Sequence, residues 1–335
     1  MVWAEADLER CWHALGRMTD DASWRLMPLG HAGGVRFQAG LRMPQGLDAV
    51  VAVFPSLAGT ALPNLPEATG FDVIRIESDE LGAADEAIAL VRSAEGDIGI
   101  FGTMAIDVLR TVERALPQPE AGLKQIFVRR VKAWQDFMAR DALRPLSPEA
   151  QVGLFGELMM LEALCEGPLG ARDAFAAWVG PHHAAQDFHV LAGAVEVKST
   201  TSASDFAAKI NSIEQLDSDR DPTWLCAMRF AEDDGGTTLP EAVERLRERA
   251  ACAQVGQEFE AGVIFSGYRD DHAHHYGRRL RLSEERCFQV TEVFPSLKRA
   301  ALSPAVTSAR YVLDLDRIDE PSAGRDAMFR QLGVV

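Results

Sequence analysis

The sequence predicts an α/β protein whose second half builds a mixed central sheet flanked by helices, preceded by an α+β domain. Two patterns carry this. Past residue 147 a well-signalled helix is followed by two short apolar runs joined at Ala192-Gly193, then by a longer apolar run and a charged helical stretch, so strand and helix alternate. Before residue 100 strand-like runs come grouped, and helical periodicity takes over only afterwards, which is an α+β order.

In chain order, an amphipathic helix is expected over about residues 4–18. Val35, Phe37, Ala39, Leu41 and Met43 then alternate with Arg36, Gln38, Gly40 and Arg42, the pattern of a half-buried strand. Further strands are expected at Leu47–Phe54 and Phe71–Ile76, separated by a loop rich in proline (Pro55, Pro63, Pro66). Helices follow at about 101–116 and 123–142, divided by Pro117 and Pro119, with a second break at Pro145 and Pro148. The expected domains are an N-terminal α+β domain (1–120), a basic helical connector (121–146) and a C-terminal domain with a strand extension (147–335).

Ser147-Pro148-Glu149 reads as an N-cap, a proline at the first helical position and an acid in the first turn, opening a helix that closes near Gly167-Pro168. Short strands at 187–191 and 194–199 come next, then a helix around 206–216 and a strand at 224–230. A charged helix at 239–251, a strand at 261–265 and shorter strands near 287–293 and 310–313 complete the chain.

Composition sets limits. With 335 residues, 47% hydrophobic and 25% charged, the chain has a globular make-up and room for two modest domains or one large one. No apolar run reaches the length of a membrane span, and the opening MVWAEADLERCWHAL lacks the zones of a secretory signal, so the expected location is the cytoplasm. The five cysteines (Cys11, Cys165, Cys226, Cys252, Cys287) contain no C-x-x-C pair and are odd in number, which points to buried reduced thiols. A net charge of −16 excludes a uniformly basic surface and leaves two local stretches to meet phosphates. One is Lys124, Arg129, Arg130, Lys132, Arg140 and Arg144; the other is His274, His275, Arg278, Arg279 and Arg281, and each fits a solvated face equally well.

The chemistry gathers around Glu196-Val197-Lys198. In a strand, a side-chain period of two sends Glu196 and Lys198 to one face and Val195 and Val197 to the other. Asp187 opens the preceding strand, and a tight turn at Ala192-Gly193 brings its carboxylate toward Glu196. Two carboxylates suit a hard cation such as Mg2+, which keeps water and substrate phosphate as further ligands, whereas Zn2+ favours His or Cys. Such an ion polarises a phosphate and lowers the pKa of a bound water, with Lys198 orienting that water and offsetting developing charge. Glu157 has Gly153, Leu154, Met160 and Leu161 three and four residues away, which puts its carboxylate on the inward face of its helix, where it needs a partner. Gly153 and Gly156 weaken that helix by about 1 kcal/mol each relative to alanine, as a close backbone approach would justify.

On these residues the chain resembles the PD-(D/E)XK nuclease superfamily: Asp187, then Glu196-Val197-Lys198 on the hairpin, and Gly153 to Glu157 as a G-x-x-x-E helix motif. The succession GLFGEL, QDFHV and VEVKSTTS, then Ile213-Glu214-Gln215-Leu216, is similar to the bacterial family called PD-(D/E)XK motif proteins, over most of the chain. The resemblance implies a restriction-endonuclease-like core and a DNA endonuclease or exonuclease using Mg2+, for which Mn2+ substitutes. It implies catalytic Asp187, Glu196, Lys198 and Glu157, with metal held by Asp187, Glu196 and Glu157. It also implies a part in defence against foreign DNA, with partner ATPase or methyltransferase subunits. The sequence departs from the pattern at Gln186, where the motif has proline, and at Asp219, where the glutamine-helix motif Q-x-x-x-Y begun by Gln215 has tyrosine.

Ser199, Thr200 and Lys209 follow the core motif and, with Gln215, are candidates to bind the substrate backbone, although strand-end Ser and Thr commonly serve turns. His272, His274 and His275 beside Asp270-Asp271 read as a solvated loop, as does His182-His183. No G-x-S-x-G elbow and no P-loop occurs. Two rivals remain: a catalytically silent DNA-binding or scaffold subunit, and an unrelated binding protein in which Glu196 and Lys198 are merely an ion pair, with Asp187 and Glu157 far away.

Overall fold

The computed structural model describes residues 5–19, 22–54, 70–76, 86–117, 119–139, 144–182 and 184–334. The prolines at 55, 63 and 66, Arg140 and His183 lie outside the described residues. The chain divides into two compact units, Met1–Arg144 and Pro145–Val335.

The first unit runs α1 (Glu5–Gly16), β1 (Trp24–Ala32), β2 (Val35–Arg42), β3 (Leu47–Phe54), β4 (Phe71–Ile76), β5 (Glu86–Arg92), α2 (Ile98–Arg114) and α3 (Glu120–Ala139). Its strands form one antiparallel sheet in the order β1-β2-β3-β5-β4. Both faces of the central β3 are buried, so LDAVVAVF reads as a continuous apolar run instead of an alternation. Trp12 of α1 fastens the helix to the sheet by donating to the Ala49 carbonyl (2.9 Å). β1 escapes the sequence pattern because Pro28 and a bulge between Pro28 and Gly30 break its alternation.

Asp107 of α2 accepts from Arg130 (2.5 and 2.8 Å) and from the Trp134 indole (2.8 Å), which clamps α3 to α2. The helix that carries the basic stretch is therefore part of the first unit's core: Lys124 is buried and Arg130 is committed to Asp107.

The second unit runs α4 (Pro148–Glu166), α5 (Ala171–Ala177), β6 (Phe188–Val190), β7 (Gly193–Thr200), β8 (Ala207–Ile210), a 3-10 turn (Ile213–Gln215) and β9 (Thr223–Thr237). It continues with α6 (Leu239–Cys252), α7 (Gly256–Phe265), β10 (Leu280–Gln289), β11 (Tyr311–Asp314) and α8 (Arg325–Gln331). Four strands make a mixed sheet, β10-β9-β7-β6, with β7 and β9 parallel and the outer pairs antiparallel. Helices cover one face over a core that includes Leu158, Leu161, Val195, Val197, Cys226 and Val243. Phe206, Ile210, Leu216, Leu225, Ala227 and Leu313, largely from the β8-β11 ribbon and the 3-10 turn, seal the other. This is α/β architecture of the restriction-endonuclease-like kind.

In the first unit β1 and β5 (Glu86–Arg92) lie outside the expected strands, and in the second unit two segments differ from expectation. Residues 206–216, expected to be helical, form β8 and the 3-10 turn, because β8 pairs with β11 from Ile210↔Tyr311 to Ala207↔Asp314. A ladder to a distant strand overrides local propensity. Residues 261–265, expected to be a strand, end α7; an apolar run this short has no period by which to tell the two apart. The cysteines also divide: Cys226 and Cys287 are buried, Cys11 and Cys165 half-buried and Cys252 exposed, all as free thiols. Among the described residues no helix is long and apolar enough to cross a membrane.

Candidate active site

α4 begins as its cap dictates. The Ser147 hydroxyl accepts from the Ala150 N–H (3.2 Å), and Pro148 sits in the first turn. The helix lies close on β7 because Gly156 lacks a Cβ: one placed there would meet Ser199 Oγ at 1.9 Å, Ser199 Cβ at 3.1 Å and Val197 Cγ1 at 3.5 Å. Gly153 meets nothing within 4 Å, so packing does not account for it.

β6 is only three residues long and pairs with β7 from Gly193 to Val195. Beyond Val195 no strand covers that edge of β7 among the described residues. Asp187, immediately before β6, turns onto the bare edge, where its Oδ2 accepts the Val197 N–H (2.7 Å). Val195 and Val197 belong to the core beneath the helices, so Glu196 and Lys198 face the other way. Glu157 approaches from α4, and Asp187 lies at the edge between the two faces, so charges from both sides of the sheet meet there.

Each carboxylate has defined partners. Trp178 Nε1 donates to Glu157 Oε2 (2.9 Å). Glu196 Oε1 accepts from Lys198 Nζ and from Gln215 Nε2 (2.6 Å), while Gln215 Oε1 accepts the Asn211 N–H (2.7 Å). The buried Gln186 side chain donates to the Glu214 carbonyl and so ties the start of the hairpin to the turn carrying Gln215. Glu157, Asp187, Lys198, Ser199, Thr200, Lys209 and Gln215 line one open cavity of ≈ 880 Å³, with Glu196 at 0% exposure outside its lining.

The electrostatics are those of crowded, desolvated acids. Burial, then the Asp187 charge, pushes the Glu157 carboxyl up to about 8, against the pull of Trp178 and Lys198. Burial raises Asp187 against Lys198 and the Val197 N–H, and burial with the Asp187 charge raises Glu196 well above the carboxylate range. Burial works against the Lys198 charge, yet Glu196 and Asp187 outweigh it and hold its pKa above the ordinary value.

A cation fits these residues on two grounds. If all three acids ionise, Lys198 balances only one of them, which leaves two negative charges buried together. Glu196 Oε2 is also buried without any hydrogen-bond partner. The three acids do not all come within 4.8 Å of one another, but a cation that keeps several waters needs only one or two direct carboxylates.

Some candidates take other positions. Thr200 Oγ1 accepts the Ser202 N–H (3.0 Å) as a turn residue, and Ser199 Oγ is buried against Gly156 with no partner. Lys209 is exposed at the cavity wall. Of the second basic stretch, Arg278 pairs with Glu232, Arg279 with Glu241 and Arg281 with Asp233. His272, His274 and His275 form no metal-ligand group among the described residues. Sequence reasoning missed Trp178 and the strut at Gln186; a buried amide beside Asp187 was a usable signal, whereas nothing local marks Trp178.

The family model described as "Putative PD-(D/E)XK family member, (DUF4420)" matches residues 8–316. No curated protein and no solved structure matches the chain.

Proposed function

We propose that this chain, which belongs to the PD-(D/E)XK family DUF4420, is a nuclease that hydrolyses phosphodiester bonds of DNA with Mg2+, or Mn2+ in its place. The observation that carries this reading is the bare edge of β7. There Glu157, Asp187, Glu196 and Lys198 interact around one cavity, with one carboxylate oxygen left unpartnered.

In this reading Asp187, Glu196 and Glu157 hold the cation, which supplies charge to the scissile phosphate and acidity to a bound water. Asp187 is aimed by the Val197 N–H, Glu196 by Gln215 and Lys198, and Glu157 by Trp178. Lys198, held protonated by its acidic neighbours, orients the attacking water and offsets the negative charge that develops as the leaving oxygen departs. Lys209, exposed at the cavity wall, stands where the substrate backbone would enter.

The paired arginines and the net charge of −16 favour control by a partner over free cutting, and the family resemblance suggests an ATPase or methyltransferase subunit of a defence system as that partner. The same facts favour the second reading, a silent DNA-binding or scaffold subunit.

The deciding experiment incubates linear, circular and single-stranded DNA with the purified chain and Mg2+ or Mn2+, comparing wild type with Lys198→Ala and Asp187→Ala. Metal-dependent cutting lost in both variants supports the nuclease. DNA binding without cutting, even after partner subunits are added, supports the scaffold.

A further inference from the structure

We propose that Cys226, Cys287 and Glu285 form a second metal site, for a thiophilic divalent cation of the Zn2+ class, with Arg325 as the charge partner that holds Glu285. None of these residues lines the cavity at β7, and the proposal does not depend on the nuclease reading.

The strands bring the ligands together. Cys287 of β10 stands directly opposite Cys226 of β9. The Cys287 N–H and carbonyl both bond to Ala323 on the far side (3.2 and 2.8 Å), so toward β9 the two cysteines form a non-hydrogen-bonded pair, the position at which facing side chains come closest. Their sulfurs lie 3.5 Å apart. Glu285 shares the face of Cys287 by the period of two, and its Oε1 is 3.7 Å from Cys226 Sγ. Among the described residues these are the three acidic, thiol or imidazole side chains whose ligand atoms all lie within 4.8 Å of one another.

Two of the three ligand spacings match the edges of a tetrahedron, and the third lies within 4.8 Å. Zinc bonds of about 2.3 Å to sulfur and 2.1 Å to oxygen at tetrahedral angles set edges of about 3.8 Å between sulfurs and about 3.6 Å between sulfur and oxygen. The observed 3.5 and 3.7 Å lie close to those edges. They are far from the roughly 2.05 Å of a disulfide.

Charge agrees as well. Arg325 donates Nε and Nη2 to Glu285 Oε1 (2.9 and 2.6 Å), placed by the Cys287–Ala323 bridge at the start of α8. Two thiolates and a carboxylate against a divalent cation and a guanidinium sum to zero; two thiols with the Glu285–Arg325 pair also sum to zero. Neither state buries net charge. On binding, both thiol protons pass to solvent and the sulfurs take the metal as thiolates, with the fourth position left to water.

The test titrates the reduced, metal-free full chain with Co2+ and then Zn2+. Expected is a thiolate-to-cobalt charge-transfer absorption that saturates at a single equivalent, is displaced by Zn2+ and vanishes in Cys226→Ala and Cys287→Ala. It persists in Cys252→Ala and Asp187→Ala, and binding weakens at least tenfold in Glu285→Gln. An all-oxygen site gives no such band, so the cavity at β7 cannot imitate the result. No band in the wild type, or a band surviving in the Cys226→Ala/Cys287→Ala double variant, overturns the proposal. Should those variants fail to fold, hydrogen exchange of the wild type decides: a single equivalent of Zn2+ slows the β9 and β10 amides, and unchanged exchange overturns the site.

Discussion

Two glycines three residues apart on α4 provide a calibrated perturbation. Gly153→Ala and Gly156→Ala remove the same helix penalty, about 1 kcal/mol each, so the difference between the two variants reports only what each new methyl meets. At Gly153 it meets nothing within 4 Å, and a gain of up to about 1 kcal/mol is expected. At Gly156 it meets Ser199 Oγ at 1.9 Å. Turning the hydroxyl away still leaves Ser199 Cβ at 3.1 Å, which must give by a few tenths of an ångström, while Val197 Cγ1 at 3.5 Å is in ordinary contact, so α4 and β7 have to shift slightly apart. Overpacking of this kind costs about 1–3 kcal/mol, which is the expected gap between the variants.

Ser199→Ala alone removes a buried hydroxyl with no partner and is expected to be near neutral or stabilising. Combined with Gly156→Ala it recovers part of the loss, with a coupling of about 1 kcal/mol. Denaturant midpoints measure the energies, and hydrogen exchange over residues 148–166 and 193–200 assigns them to the second unit. Equal midpoints for the two glycine variants, or no coupling to Ser199, would refute the close approach of α4 to β7. Cleavage should fall in Gly156→Ala beyond what stability explains, because Glu157 moves with the helix.

Removing metal makes stability depend on pH. Glu157 rises from an ordinary 4.5 to about 8, so between those values the folded state holds a proton that the unfolded state has lost. Stability of the metal-free chain should therefore fall as pH rises through that window. Mg2+ at pH 8 should raise Tm and flatten the profile, as should Glu157→Gln without metal, and a flat metal-free profile in the wild type contradicts this. Trp178→Phe keeps a ring against Phe259 but loses the bond to Glu157, so the acid limb of the pH–rate profile should move upward; an unmoved limb leaves Trp178 with packing alone. Gln186→Ala strands the Glu214 carbonyl and should lower stability by about 1–2 kcal/mol while weakening Mg2+ binding, read by titration. Asp107→Ala, in the first unit, should cost about 3 kcal/mol through the loss of the Arg130 and Trp134 bonds, and a melting curve like that of the wild type would discount that clamp.

The sequence made the local part of this structure legible. A serine cap with proline beside it marked α4, and an apolar run with a charge at every second position marked β7, because both signals depend on neighbouring residues alone. Segments whose state is set by a distant partner were hidden: β8 is a strand only because β11 lies beside it. At the site, Glu196 and Lys198 could be assigned to one face from the period of two. That Asp187 would bind the Val197 N–H, and that Trp178 would reach Glu157, depends on a strand being cut short and on a tryptophan at the end of α5, which no spacing in the chain encodes. The basic stretches misled for a related reason: charge along a chain does not reveal which arginines already have acidic partners in the fold.

The brevity of β6 has a consequence for how the protein behaves in concentrated solution. Beyond Val195 the run EVKST has no strand neighbour on this edge among the described residues, and such an edge is a template to which a strand of another molecule can add. Asp187 occupies the Val197 donor on that edge, so one carboxylate both serves the cavity and blocks the docking point for a foreign strand. Asp187→Ala releases this donor and invites self-association, whereas Asp187→Asn keeps an acceptor oxygen in place. On the proposed nuclease reading, the acid that would hold the cation is also the group that keeps copies of the chain from pairing along this edge.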